Sequence, residues 1–223
     1  DQVVRQAGVL KENCIAVLAG EVRRTAPEGG DGRPPWIVVN RLTDVLDAQR
    51  YVLELFDSVL VERLRFDLLA DVQLLTPTRK GPLGVEALNV ELQRLVQKKL
   101  WGVDVPPPRP GRRPEFLRHD RVIQTRNNYD LGVMNGAIGI VTAVGPRRGE
   151  LHVRFDDQEI EFTPENAGTK DLSLAYALTI HKAQGSEFPC AVVVVHKAHS
   201  FMHHRNLFYT GVTRARYCAI VVG

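Results

Sequence analysis

Apolar positions along this chain recur in two rhythms, and the rhythms alternate. From Val9 to Val22, the residues Leu10, Cys14, Ile15, Val17, Leu18 and Val22 fall at helical spacing and predict a short amphipathic helix. A glycine- and proline-bearing loop, Pro27 to Pro35, follows. Trp36-Ile37-Val38-Val39 then reads as a short strand. A second helix starts after Thr43 or Asp44, whose side-chain oxygens suit the free N–H groups of a helix start. Its apolar stripe is Leu46, Val52, Leu53, Phe56, Val59 and Leu60. Val72 to Leu75 is a strand stopped by Thr76-Pro77, and the turn Arg79 to Gly84 leads into a helix through Leu100.

The pattern changes at Val105-Pro106-Pro107-Pro108-Arg109-Pro110-Gly111, where proline stiffens the chain and cannot donate to a ladder, so a linker is expected. Beyond it come short strands at Arg121–Thr125, Ala137–Val144, Leu151–Phe155 and Glu159–Thr163, with turns at Gly145-Pro146 and Asp156-Asp157. Such a run predicts a small closed β-barrel. After Gly168 the α/β character returns. Leu172–Thr179 is a strand, Ala191–Val195 is almost continuously β-branched as in a strand buried on both faces, and Ala219–Val222 repeats that signal. The expected fold class is α/β, a parallel-sheet domain interrupted by an inserted barrel.

Composition narrows the class. The 223 residues, 44% apolar and 25% charged, suffice to bury a core without disulfides. No apolar run approaches the roughly 20 residues that cross a bilayer, and no leader is evident. The net charge of +3 is too weak to argue nucleic-acid binding by itself. Local clusters have to supply it, and Arg112, Arg113, Arg118 and Arg147-Arg148 fit either that role or solvated surface. Cys14, Cys190 and Cys218 are scattered, form no CxxC and read as buried thiols of a reducing compartment. His196, His199, His203 and His204 crowd together, but no carboxylate or thiolate stands at ligand spacing, so a polar strand-to-helix loop is expected and no metal.

Four segments carry candidate chemistry: Val4-Arg5-Gln6-Ala7-Gly8, Leu75 through Gly84, Leu178 through Glu187 and Leu207 through Arg216. The strings "TIHKAQGSE" and "YTGVTRAR" closely resemble the fifth and sixth motifs of superfamily 1 helicases of the RecD-like group, exodeoxyribonuclease V alpha-like subunits included. "VRQAG" resembles the end of the fourth. The resemblance covers nearly the whole chain and implies a RecA-like motor domain over 1–112 and 171–223, with an SH3-like barrel at 113–170.

Roles follow from the resemblance. Arg5 and Arg214 stand where that family places arginine fingers, and a planar, permanently charged guanidinium suits phosphate oxygens. Gln6, Gly185 and Glu187 stand at nucleotide contacts, with the carboxylate an acceptor for ribose hydroxyls. Thr76, Thr78, Arg79 and Gly81, with Thr179, His181 and Lys182, stand where single-stranded DNA is gripped through its phosphates. Arg79 and Lys80 equally suit a merely solvated loop. Tyr129 suits stacking on a base, and Asn127 and Asn128 suit either backbone contacts or ordinary turn chemistry.

No GxxxxGK[ST] phosphate-binding loop and no separate acidic Mg²⁺ motif occur in the sequence. The resemblance therefore implies a portion of a larger cytoplasmic enzyme that uses ATP and Mg²⁺ and is inactive alone. Its expected partners are single-stranded DNA, an N-terminal RecA-like domain of the same chain and other repair or recombination subunits, with no membrane. Translocation from 5′ to 3′ is implied likewise. The competing expectation is a non-catalytic nucleic-acid-binding or protein-interaction module derived from a helicase.

Overall fold

A computed structural model describes residues 8–27, 29, 32–147, 149–166, 168–202 and 205–223. The chain packs as two compact units, one built from residues 1–88 and 177–223 and the other from 89–176.

The first unit opens with helix α1, Gly8–Leu18, then strand β1, Trp36–Val39. Helix α2, Val45–Glu54, is capped by Asp44, whose carboxylate accepts from the N–H groups of Leu46 and Asp47. It widens into π-helical turns over Leu55–Arg63. Strand β2, Val72–Thr76, and helix α3, Val85–Trp101, come next. A sheet of five parallel strands is completed by β8 (Ala177–Thr179), β9 (Phe188–Val194) and β10 (Ala215–Val222), in the order β1-β10-β9-β2-β8. Helix α4, Arg205–Val212, connects β9 to β10 and packs on both, and α1 packs beside it. Ala191, Val192 and Val193 are fully buried, as expected where helices cover a parallel sheet.

Helix α1 departs from the amphipathic expectation. Leu10, Cys14 and Val17 are buried, but Val9, Ile15, Leu18 and the following Val22 are exposed beside Glu12, so apolar residues lie on its outer face as well as its inner one. Strand β10 starts at Ala215, four residues ahead of its apolar run. A register shift between Ala215 and Cys218 and the exposed Arg216 and Tyr217 hide that start from an apolar pattern.

The second unit is an antiparallel sheet of β3 (Arg121–Gln124), β4 (Ile138–Val144), β5 (Leu151–Phe155), β6 (Gln158–Phe162) and β7 (Leu172–Leu174), in the order β6-β5-β4-β3-β7. Its core gathers Val122, Val133, Val141, Leu151, Val153, Phe155, Phe162 and Leu172. The single strand expected over Leu172–Thr179 is two. β7 pairs with β3 in this sheet, and β8 pairs with β2 in the parallel one. The break lies at Ala175, whose N–H donates to the Arg121 carbonyl, and at Tyr176, whose hydroxyl donates to Asp120.

Asp120 is the polar centre of this unit. It is fully buried and accepts from Gln93 and Gln97 of α3, from the Leu117 N–H at 2.8 Å and from the Tyr176 hydroxyl at 2.9 Å. Burial pushes its carboxyl above the ordinary carboxylate range, while the four bonds pull the other way. Tyr176 is in turn raised, first by burial and then by the neighbouring Asp120.

Candidate functional site

The candidate residues of the parallel sheet divide between its two ends. At the carboxyl end, Thr76 of β2 and Thr179 of β8 are register partners, and the Ile180 N–H donates to the Thr76 carbonyl at 3.1 Å. Loops leaving that end of parallel strands are where α/β sheets hold ligands.

The loop after β2 curls over the start of α3. The carbonyls of Thr78 and Arg79 accept from the N–H groups of Val85 and Glu86 at 3.1 and 3.0 Å. Helix-start donors are thereby satisfied internally. Thr76 is fully buried, and its hydroxyl donates inward to the Leu83 carbonyl at 2.6 Å. Gly81 adopts φ +88, a left-handed conformation that glycine takes without strain. Gly84 is required for another reason, since a Cβ there would stand 2.4 Å from the Lys80 carbonyl oxygen. Arg79 and Lys80 are exposed at the tip, and Arg79 lies 3.7 Å from Glu86.

The loop after β8 is a run of turns. Thr179 Oγ1 accepts from the Lys182 N–H at 3.2 Å, and the Ala183 N–H donates to the Thr179 carbonyl at 3.1 Å. Ile180 and Ala183 are buried anchors, and His181 and Gln184 are exposed. Lys182 is half-buried, and burial lowers its ammonium below the ordinary lysine value.

A neighbour of this end was missed by sequence reasoning. His196 and His199 are buried rather than part of a polar surface loop. His196 Nδ1 accepts from the Ala198 N–H at 3.1 Å, and His199 Nε2 lies 3.1 Å from the Thr78 hydroxyl. The only signal was the crowding of histidines after β9. His203 and His204 lie outside the described residues, and among the described residues no three His, Cys, Asp or Glu gather as metal ligands.

Arg214 and Glu187 sit at the other end of the sheet. Phe188 and Ala215, the first residues of β9 and β10, are paired there, and the Phe188 N–H donates to the Arg214 carbonyl at 2.8 Å. The six steps from Phe188 to Val194 span about 20 Å of strand. Residues 180–187 run between the two ends.

The Arg214 guanidinium is held on three sides. Nε donates to the Thr210 carbonyl at 3.0 Å, Nη1 to the Ser186 carbonyl at 3.2 Å and Nη2 to Thr213 Oγ1 at 3.2 Å. A guanidinium has five N–H donors. Among the described residues, one proton on each Nη therefore remains for a further acceptor. Gly185, at φ +89 with nothing within 4 Å of a built Cβ, leaves the neighbouring backbone open, and Glu187 is half-buried. Gly211 lets α4 lie close to the sheet, since its Cβ would meet Val193 Cγ1 at 3.0 Å and Ile180 Cδ1 at 3.3 Å. Arg5 and Gln6 lie outside the described residues.

In the second unit, Asn127 and Asn128 build a turn. The Asn135 N–H donates to Asn127 Oδ1 at 2.8 Å, the Leu131 N–H donates to Asn128 Oδ1 at 3.1 Å, and Asn127 Nδ2 donates to the Tyr129 hydroxyl at 3.0 Å. Tyr129 itself is 76% exposed. Among the described residues no helix is long and apolar enough to cross a membrane.

Comparison with known proteins bears on both units. Residues 174–222 match the UvrD-like helicase C-terminal domain, and residues 88–155 match the ATP-dependent RecD-like DNA helicase SH3 domain. The ATP-dependent RecD2 DNA helicase of Deinococcus radiodurans is 44% identical over 147 residues, which cover 65% of this chain and 19% of that protein. The RecBCD enzyme subunit RecD of Mycolicibacterium smegmatis is 32% identical over 155 residues, 68% of this chain and 25% of the subunit. The chain thus spans a quarter or less of these relatives' length. The crystal structure of a Bacteroides Pif1 helicase with ADP-AlF3 and ssDNA shares the fold, with a TM-score of 0.52 at 20% identity over 97% of this chain and 49% of that one. Two domain matches in this order, on a parallel sheet with a separate antiparallel one, place the chain in the C-terminal region of the RecD-like helicase family.

Proposed function

We propose that this chain is the C-terminal motor half of an ATP-dependent DNA helicase moving 5′ to 3′, with residues 1–112 and 171–223 as its RecA-like domain and 113–170 as its SH3-like insert. The observation that carries it is the guanidinium of Arg214, fixed by Thr210, Ser186 and Thr213 with one proton free on each terminal nitrogen. That geometry suits a bidentate phosphate acceptor. Gly185 and Glu187 at the same end suit the sugar edge of a nucleotide, and Arg5 and Gln6 are assigned to the same cleft by family likeness alone.

ATP with Mg²⁺ would supply the phosphoryl group whose loss drives movement; its phosphate-binding loop belongs to the N-terminal RecA-like domain. The residues of this chain hold positive charge at the phosphate and exclude water there. Thr78, Arg79, Lys80, Thr179, His181 and Lys182, at the opposite end of the sheet, hold single-stranded DNA by its phosphates. Thr76 and Gly81 shape that loop, while Asn127 and Asn128 present Tyr129 to a base. The setting is cytoplasmic, and other recombination or repair subunits are its candidate partners.

The test is DNA-stimulated ATP hydrolysis by the intact protein. Arg214→Ala is expected to lower turnover about a thousandfold with the DNA-bound fraction retained. Unchanged turnover in that variant sinks the role of Arg214, and no DNA-stimulated hydrolysis by the wild type sinks the helicase assignment.

A further inference from the structure

The second unit carries a feature that the motor reading leaves unused. Between α3 and β3, the Arg109 carbonyl accepts from the Arg112 N–H at 2.9 Å, closing a turn with Pro110 and Gly111 at its centre. Gly111 has φ +73, so the turn is of the type that takes proline second and glycine third. Both flanks are tied down. Arg94 Nε donates to the Val105 carbonyl at 3.0 Å, Lys98 pairs with Asp104 at 2.8 Å, and Arg113 Nη1 donates to the Lys170 carbonyl at 3.0 Å. Three prolines at 106–108 stiffen the approach.

Arg109, Arg112 and Arg118 are exposed and meet no carboxylate among the described residues. Arg50, Arg79 and Arg147 are paired with Asp47, with Glu86, and with Glu150 and Glu165, while Arg24 and Arg41 are exposed and meet no carboxylate among the described residues, so what sets the turn apart is its density of charge. From Arg109 to Arg118 there are four arginines against the single Glu115, a local excess equal to the net charge of +3 on the whole chain. Beyond Arg118, His119 takes φ 73, unusual for a residue with a side chain, and stacks on Trp101 at 4.4 Å and 12°. A stiff turn thus displays unneutralised guanidinium groups at little entropic cost on binding.

We infer that the Arg109–Arg112 turn, with Arg118 beside the Trp101–His119 stack, is a second nucleic-acid contact that grips a phosphodiester backbone without reading sequence. It rests on the helicase reading and adds a contact separate from the loops of the parallel sheet. Guanidinium groups suit phosphate oxygens, and backbone contacts of this kind position a protein on DNA and depend on salt.

The test uses the intact protein and its R109E/R112E variant, with R50E/R147E as a control that makes the same change in net charge. Fluorescence anisotropy would be read on labelled oligo-dT and on a forked duplex between about 50 and 200 mM salt. The expected result is about three- to tenfold weaker binding by R109E/R112E and a salt slope shallower by about one to two, the control keeping the wild-type slope. Loss on both DNAs assigns the contact to a single strand, and loss on the fork alone assigns it to the duplex arm; each supports the inference. Wild-type affinity and slope in R109E/R112E overturn it, including the case in which that variant instead loses an acidic protein partner. Failure of the wild type to bind either DNA would be a failure of the helicase reading itself.

Discussion

Thr76 and Thr179 stand side by side at the ends of β2 and β8, yet their hydroxyls serve opposite ends. Thr76 donates inward to the Leu83 carbonyl and is fully buried, whereas Thr179 accepts from the Lys182 N–H and remains half-exposed. Thr76→Val is therefore expected to cost about 1 kcal/mol of stability through the unpaired carbonyl. Thr179→Val, combined with Lys182→Ala, is expected to weaken single-stranded DNA binding about tenfold with little change in melting temperature. Melting curves beside anisotropy titrations separate the two, and matching effects from both would remove the distinction.

Arg214 makes its three bonds with three different nitrogens. A lysine ammonium keeps the charge but not the fork. Arg214→Lys in the intact protein is expected to restore less than a tenth of the turnover lost in Arg214→Ala. Single-turnover ATP hydrolysis at saturating DNA is the measurement, and near wild-type rates in the lysine variant would show that charge alone suffices.

At Gly211 a methyl group would press on Val193 Cγ1 at 3.0 Å and Ile180 Cδ1 at 3.3 Å, so both side chains would have to give by a few tenths of an ångström. Gly211→Ala should destabilise the protein by about 1–3 kcal/mol through overpacking. Ile180 borders the loop that carries His181 and Lys182, so the same variant should also bind DNA less tightly. A denaturant midpoint equal to that of the wild type would contradict the packing.

Asp120 links stability to pH. Burial sets its folded-state carboxyl above the unfolded value of 3.8. As pH rises, the unfolded chain then releases this proton first. The stabilisation from the protonated carboxyl is whole below the unfolded value and is lost as pH climbs through the folded one. Denaturant melts of wild type and Asp120→Asn should show the wild type's advantage shrinking across that window. Asp120→Ala, which leaves the Gln93, Gln97, Leu117 and Tyr176 donors unpaired, should cost about 3 kcal/mol at low pH and less as pH climbs through the same window. An advantage that grows with pH would mean that the bonds outweigh burial.

The parallel strands β1, β2 and β9, the cap at Asp44 and the short strands of the second unit were legible, because each leaves a local mark: β-branched runs, a carboxylate before a helix, turn residues between strands. What was illegible depends on distant partners. Leu172 to Thr179 holds no glycine, proline, asparagine or aspartate, and it breaks where Ala175 and Tyr176 bond to Arg121 and Asp120. The direction of the Thr76 hydroxyl is set by Leu83, and the burial of His199 by its place beside Thr78. Motif strings singled out Thr76, Thr179, Glu187 and Arg214, but not that the length of strand β9, about 20 Å, lies between the level of the two threonines and that of Arg214.

The strand order has one more outcome. The parallel sheet keeps its seven- and eight-residue strands, β9 and β10, in the interior and ends in β8 with three residues and β1 with four. Open rims that short give a stray chain too few N–H and C=O groups to build on. A sequence that must carry some of its most β-branched runs in the open while it folds is in this way guarded, once folded, against edge-to-edge aggregation.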